Sequence, residues 1–165
     1  MDILAIAESQ LGTREGPGGT SKYGTWLDRE AGTHDYADAD WCGAFQLWCI
    51  AQGGDDWTTA AGGLKPAYAL VQVWYDWMHA HDRISRTALP RRLVWYDWYG
   101  TPTGANHIGM VKSVSGGRMK VYEGNHNNTV ELVDRPIDGQ VMGFGEWWSF
   151  VQPPVAGDLW FMART

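Results

Sequence analysis

The stretch HIGMVKSVSGGRMKVYEGN, residues 107–125, decides the fold that we expect for this chain. Two β-branched runs are separated by a Ser-Gly-Gly sequence, and this pattern is typical of an antiparallel β-hairpin. A three-residue turn pairs Val114 with Arg118 and Val111 with Val121, and the valine pairing makes this the register that we favour. A two-residue Gly-Gly turn is the alternative, and it would shift the register by one residue.

The favoured register brings three polar side chains to one face of the hairpin. Gly109 then lies opposite Glu123, and His107 lies opposite Asn125. Because side chains alternate along a strand, His107, Glu123 and Asn125 share a face, and Glu123 is a diagonal neighbour of His107. Gly109 leaves room for the carboxylate to lean toward the imidazole. The alternative register would send Glu123 to the other face.

Helix-like segments precede this hairpin, and further strand-like segments surround it. Strands are expected in RLVWYDWY, in both arms of the hairpin, in TVELVDR and near residues 141–151. Helices are expected at residues 2–11, at 42–51 and from Pro66 to residue 81, with a loop-rich segment at 13–40. Helices followed by strands predict an α+β fold, in which N-terminal helices pack against a curved antiparallel sheet. We expect residues 1–165 to form one domain.

Composition excludes several functions. The net charge of −6 and pI near 5.2 argue against a nucleic-acid partner, which requires a basic face. An acidic chain gains no long-range attraction to anionic cell-wall polymers either, so pocket contacts would have to hold it there. The N-terminus lacks a basic n-region, and no apolar run approaches the roughly 20 residues of a membrane span. We expect a monomer made in the cytoplasm without a signal peptide and without membrane insertion.

The two cysteines are predicted to have different roles. Cys42 is expected at a helix N-terminus, where unpaired backbone N–H groups and the helix dipole favour a thiolate. The same N–H groups could stabilise an oxyanion, and Gly43 could let a substrate approach the backbone closely. Cys49 falls in the middle of the helix among apolar residues and is expected to pack in the core. Seven residues on one helix separate the two sulfurs by about 10 Å, which is too far for a disulfide.

A cysteine nucleophile requires a base, and the base requires a group that orients it. His107 is the expected base, with Glu123 or Asn125 as the third member. The other histidines, His34, His79, His81 and His126, are expected at the surface, and only His126 is near enough in sequence to line the site.

Several short motifs, in this order, resemble one family. They are Lys-Tyr-Gly-x-Trp at 22–26, Trp-Cys-Gly-x-Phe at 41–45, Asn-His-Ile-Gly-Met-Val at 106–111, Glu-Gly-Asn at 123–125 and Gly-Phe at 143–144. Together they resemble the CHAP family (cysteine, histidine-dependent amidohydrolases/peptidases), which belongs with the NlpC/P60-like enzymes in the broad papain-like fold. The resemblance implies hydrolysis of peptidoglycan amide bonds. It implies Cys42 as nucleophile, His107 as base, Glu123 as third member and Asn125 as a supporting polar group.

Several aromatic side chains are candidates for lining a substrate groove. The set is Tyr23, Trp26, Trp41, Trp95 and Trp98, because such rings could pack on a sugar or an alanine methyl group. Some members of the family bind calcium through acidic residues ahead of the cysteine, and Asp35, Asp38 and Asp40 suggest that alternative. Their spacing does not match the family's ligand pattern, so we expect no metal and no other cofactor.

Three functions are consistent with these features. The first is a peptidoglycan hydrolase, an N-acetylmuramoyl-L-alanine amidase or an endopeptidase acting through a thioester, such as a phage endolysin or an enzyme exported by a dedicated system. The second is an amidase that acts on an amide outside the wall. The third is an inactive, tryptophan-rich wall-binding module, although the intact set of Cys42, His107 and Glu123 argues against it.

Overall fold

A computed structural model describes residues 2–54, 63–100 and 104–147 of the chain. The expectation of a strand near 141–151 can therefore be compared with the structure only up to residue 147. The expectation of one domain over residues 1–165 extends beyond the described residues at the C-terminus.

The described residues form an α+β structure around one six-stranded antiparallel sheet. The strand order is β1-β6-β2-β3-β4-β5, so β2 and β3 lie at the centre. The strands are β1 Ile84–Ser85, β2 Leu93–Tyr96, β3 His107–Ser115, β4 Arg118–His126, β5 Thr129–Pro136 and β6 Val141–Gly145. The helices are α1 Ile3–Glu8, α2 Lys22–Ala31, α3 Cys42–Gln52 and α4 Val71–Ala80, with 3₁₀ turns at Pro17–Gly19 and Pro66–Ala69. The predicted fold class is confirmed at this level.

The turn of the β3–β4 hairpin differs from the prediction. Ser115 pairs with Arg118, so the turn contains only Gly116 and Gly117, and the predicted pairing of Val114 with Arg118 is wrong. Both glycines have positive φ (57° and 74°), as the favoured two-residue hairpin turns require.

A β-bulge in β3 offsets the one-residue shift of register that the turn introduces. The register changes between Val111 and Ser113, where β3 contains one residue more than β4. Beyond this bulge Val111 pairs with Val121 and Gly109 pairs with Glu123, as predicted. The predicted face of Glu123 is therefore correct, although the turn that was expected to place it there does not form.

Helix α2 lies inside the segment that was expected to be loop-rich. Its N-cap is Ser21, whose Oγ accepts a hydrogen bond from the N–H of Gly24 at 2.8 Å. Tyr23, Trp26 and Leu27 form its buried face. Their i, i+3, i+4 spacing is the helical signal that the glycine-rich surroundings concealed.

Helix α3 is fixed closely against the sheet. A Cβ atom on Gly124 of β4 would lie 2.6 Å from the Cβ of Phe45, so only glycine permits this approach. Gln46 donates a hydrogen bond from its Nε2 to the backbone oxygen of Tyr122 at 3.1 Å. These two contacts set the height and rotation of α3 over β4 and thereby position its first residue, Cys42.

Gly43 has a different role from the one expected. A Cβ atom there would lie 2.5 Å from the backbone oxygen of Ala69, in the 3₁₀ turn Pro66–Ala69. Gly43 thus permits close packing of this turn against α3, and the approach of a substrate to its backbone stays a prediction.

The structure contains no helix, among the residues described, with the length and apolar character needed to cross a bilayer.

Candidate active site

Cys42 is the first residue of α3, as the sequence predicts. The first intrahelical bond runs from the N–H of Phe45 to the carbonyl of Trp41 at 2.9 Å, so the N–H groups of Cys42, Gly43 and Ala44 precede the helical hydrogen-bond ladder. Such groups, together with the helix dipole, favour negative charge at this end. The Cys42 side chain therefore lies at the end of α3 where unpaired N–H groups point.

Cys49 has none of these features. It is fully buried in the core cluster, and this burial raises the pKa of its thiol, although the charge of Lys22 opposes the shift. Both cysteines are free. Cys49 is thus a packed core thiol, as predicted.

His107, the first residue of β3, lies between Cys42 and Glu123. Its Nε2 is 3.0 Å from Oε2 of Glu123, and its ring also interacts electrostatically with the side chain of Cys42. A carboxylate accepts hydrogen bonds only, so Nε2 carries the proton in this contact. Nδ1 is then the nitrogen that remains for the sulfur.

The electrostatics of His107 favour the imidazolium. Burial by itself lowers the pKa of the ring, but the hydrogen bonds and charges of Cys42 and Glu123 outweigh burial and raise the pKa to about 9. A cationic His107 is consequently the favoured state at neutral pH.

Glu123 is fully buried and is held by a second partner, Arg135 of β5. Arg135 donates from Nε to Oε1 at 2.9 Å and from Nη2 to Oε2 at 2.6 Å. Burial would raise the pKa of Glu123, but these hydrogen bonds and the one from His107 lower it below its usual value. The carboxylate therefore stays ionised, which a bidentate guanidinium achieves well.

Sequence reasoning missed Arg135. The β4–β5 pairing places Met119 opposite Arg135 and Glu123 opposite Glu131, so Arg135 shares the face of Glu123 but lies four residue pairs away. Pairing TVELVDR with the hairpin strand would have placed Arg135 on this face. Only the length of the arginine side chain lets it reach the carboxylate.

Two aromatic rings cover this polar cluster. The guanidinium of Arg135 lies 4.5 Å from the ring centroid of Trp98, and that ring is 5.6 Å from the ring of His107. Tyr96 stacks on Trp98 with centroids 4.4 Å apart. Trp98 is only partly buried, so it alone of the predicted groove aromatics both adjoins His107 and keeps an accessible surface.

The other aromatic candidates lie in the core. Tyr23, Trp41 and Trp95 are each no more than 1% exposed, and Trp26 is 8% exposed. Tyr23 stacks on Trp41 at 5.3 Å, so these rings pack against each other. The prediction that Tyr23, Trp41 and Trp95 form a substrate surface is wrong, because Tyr23 and Trp41 pack where α2 meets α3 and Trp95 packs against Trp74 and Tyr75 of α4.

Asn125 does not lie opposite His107, because the paired register of β3 and β4 ends at Gly109 and Glu123. Asn125 has a φ of 59° and donates from Nδ2 to Oδ1 of Asp40 at 3.0 Å. It therefore ties the end of β4 to the segment that leads into Cys42. A supporting polar role for Asn125 is consistent with this contact, but a role as the partner of His107 is not.

The acidic segment before Cys42 is organised by hydrogen bonds within the protein. The carboxylate of Asp28 accepts from the backbone N–H groups of Asp35, Tyr36 and Ala37 at 2.9–3.2 Å. Nowhere in the part of the chain that the structure describes do three or more His, Cys, Asp or Glu side chains form a group suited to a metal ion.

Comparison with known proteins gives little further information. No protein-family model matches the chain, and no curated protein matches it. Among solved structures, one match is the crystal structure of a Staphylococcus aureus protein described as similar to a lipoprotein of the NLP/P60 family. The identity is 14% and the TM-score 0.43, and the match covers 87% of this chain and 39% of that one. The chain thus spans about two-fifths of the length of that protein, and a likeness at this level assigns neither family nor activity.

Proposed function

We propose that the chain is a cysteine amidase or peptidase of the CHAP type, with an NlpC/P60-like, papain-like fold. The single observation that supports this most strongly is the position of His107, which interacts with Cys42 on one side and hydrogen-bonds to the buried Glu123 on the other. A nucleophile, a base and an orienting carboxylate in contact are the arrangement that acyl transfer requires.

The first chemical step is attack on an amide. The Cys42 thiolate adds to the carbonyl carbon, and the carbonyl oxygen becomes an oxyanion that the N–H groups of the first turn of α3 can stabilise. His107 gives its Nδ1 proton to the departing nitrogen, so the C–N bond breaks, an amine leaves and a thioester remains on Cys42.

The second step is hydrolysis of the thioester. Neutral His107 takes a proton from water, and the resulting hydroxide adds to the thioester carbonyl. The C–S bond then breaks, which releases a carboxylic acid and returns Cys42 as thiolate and His107 as imidazolium. Glu123 holds the ring orientation throughout, and Arg135 keeps Glu123 anionic.

The proposed substrate is peptidoglycan. The Trp-Cys-Gly-x-Phe, His-Ile-Gly-Met-Val and Glu-Gly-Asn motifs support it by their resemblance to wall hydrolases. The partly accessible Trp98 beside His107 supplies a ring on which a substrate could pack. The bond cut is either the amide between N-acetylmuramic acid and L-alanine or a peptide bond of the stem or cross-bridge.

Purified cell walls provide the test. The protein is incubated with walls while new amino groups and new reducing ends are measured, with Cys42→Ala as the inactive control. We expect amino groups to appear without reducing ends, and mass spectrometry of the fragments then identifies the bond. Retention on walls without release of amines would instead support the binding module, and release only from non-wall amides would support the second alternative.

A further inference from the structure

A groove of about 460 Å³ lies between the segment that follows α1 and the outer sides of α2 and α3. It is separate from the Cys42–His107–Glu123 cluster. Its lining includes three cations, two indole rings and a hydroxyl group, from Arg14, Lys22, Arg29, Trp26, Trp48 and Thr25.

The charge of this groove is opposite to that of the chain. The chain has a net charge of −6, yet Arg14, Lys22 and Arg29 converge here. Neither Arg14 nor Lys22 forms a salt bridge with any residue that the structure describes, and both are exposed. Arg29 pairs only with the exposed Glu30. The groove is thus a local site where an anion would meet cations that the protein has not neutralised.

The cations are held next to an aromatic surface. Lys22 donates from Nζ to Oε1 of Gln10 at 2.6 Å and lies 4.3 Å from the ring centroid of Trp48. Trp48 is only partly buried, so part of its ring faces the groove. Indole faces accept the C–H surfaces of sugars, and adjacent cations accept carboxylates or phosphates.

The rim of the groove is connected to the candidate active site. Arg14 is bridged to Thr129 of β5, and the N–H of Glu15 donates to the carbonyl of Asn128 at 3.1 Å. Asn128 is three residues beyond Asn125, which bonds to Asp40 in the segment leading to Cys42. The segment that lines the groove is therefore tied through the β4–β5 turn to the segment that leads into Cys42.

We infer that this groove is a subsite for an anionic glycan polymer of the cell wall. The inference rests on the proposed function, because it names the ligand that would hold the enzyme on its substrate. It also provides the local contacts that an acidic chain needs on an anionic wall. The acidic groups are either carboxylates of peptidoglycan or phosphodiesters of a wall-linked polymer, and both offer the same chemistry to Arg14 and Lys22.

The test measures retention on walls in the Cys42→Ala protein, so that hydrolysis does not remove the ligand. The double variant Arg14→Gln/Lys22→Gln is compared with a control double variant, Arg83→Gln/Arg86→Gln. The control removes the same amount of charge near β1. Two wall preparations are used, one intact and one stripped of phosphodiester-linked polymer by hydrofluoric acid. We expect the apparent Kd for intact walls to rise about tenfold for the groove variant and to stay near the parent value for the control.

The outcomes separate the ligand sources and the two proposals. If the groove variant also binds stripped walls more weakly than the parent protein does, the ligand groups are the carboxylates of peptidoglycan. If its binding is weaker only on intact walls, the ligand groups are the phosphodiesters. Equal retention of the groove and control variants, with unchanged near-ultraviolet circular dichroism, would overturn the subsite. Amine release by the protein with Cys42 intact is measured separately, so the failure of the hydrolase proposal is distinguishable from the failure of the groove.

Discussion

The two cysteines of α3 lie seven residues apart on one helix and differ in almost every property that governs reactivity. Cys42 begins the helix, is 6% exposed and contacts His107. Cys49 lies two turns further along, is fully buried, and has a pKa raised by that burial. The comparison teaches that the reactivity of a thiol depends on its helical position and its neighbours rather than on the residue type.

Replacement of each cysteine by alanine gives the largest expected contrast. Cys42→Ala should lower kcat for amine release by at least about 10⁴-fold, because it removes the nucleophile. Cys49→Ala should keep kcat within a few-fold but lower the free energy of unfolding by about 1 kcal/mol, because it leaves a small cavity. Amine release and urea denaturation measure the two effects. Loss of activity in a folded Cys49→Ala protein, with Cys42→Ala active, would reverse the assignment.

Removal of Arg135 tests whether stability and catalysis depend on the ion pair between Arg135 and the buried Glu123. Arg135→Met leaves the fully buried carboxyl group of Glu123 with only one partner, so we expect a loss of about 3 kcal/mol in unfolding free energy and a fall in kcat. Arg135→Lys should restore part of the stability but less of kcat, because an ammonium lacks the bidentate geometry.

Arg118→Met is the matched control for that variant. Arg118 also pairs with a carboxylate, that of Asp134, but the pair is exposed to solvent. Water screens such a pair, so we expect stability and kcat close to those of the wild type. If Arg118→Met were as damaging as Arg135→Met, the buried position of Glu123 would not explain the role of Arg135.

Gly109→Ala should have a smaller effect that acts through the position of Glu123. A Cβ atom on Gly109 would lie 2.4 Å from Cγ1 of Val121 and 3.1 Å from Cγ of Glu123, so the carboxylate must move. We expect about 1–3 kcal/mol of destabilisation and a lower kcat with KM little changed. Gly139→Ala is the control, because a Cβ atom on Gly139 would meet no other atom within 4 Å. Equal kcat values for the two variants would contradict this role of Gly109.

The pH profile should show the raised pKa of His107. The pKa of the ring is about 9 in the folded state against 6.5 as the reference value, so the ring stays protonated as pH rises through neutrality. Stability from this proton is fully present below about 6.5 and is lost as the pH rises toward 9. We expect kcat/KM to fall above about pH 9, when His107 can no longer protonate the leaving amine.

Glu123→Gln sharpens the pH experiment. The carboxylate is one of the groups that raise the pKa of His107, so its neutralisation should move the alkaline limb of kcat/KM to lower pH. An alkaline limb that stays in place in this variant would show that a group other than His107 titrates there.

Much of the candidate site follows from local patterns. The helix start at Cys42 and the strands around His107 and Glu123 could be predicted, because caps, glycines and alternation are local signals. The turn at Gly116 differs from the prediction, and the bulge near Lys112 has no signal that distinguishes it from a regular strand.

Other features depend on tertiary packing and could not be read locally. Arg135 reaches Glu123 only because β5 pairs with β4, and a single sequence does not define that pairing. Helix α2 was not predicted, and its packing on α3 buries Tyr23 and Trp41. These two residues were expected to line a groove and instead lie in the core. Long-range contacts of this kind are where sequence patterns are least informative.

The most direct test of the account is the rate at which iodoacetamide alkylates each cysteine of the native protein at pH 7, resolved by peptide mass spectrometry. The central claim is that Cys42, at the start of α3 and beside His107, is the reactive cysteine, while Cys49 stays protonated in the core. We expect rapid alkylation of Cys42, about tenfold or more slower alkylation of Cys42 in His107→Asn, and no alkylation of Cys49 in the folded protein. Alkylation of Cys42 at the same rate with and without His107, or of Cys49 ahead of Cys42, would contradict it.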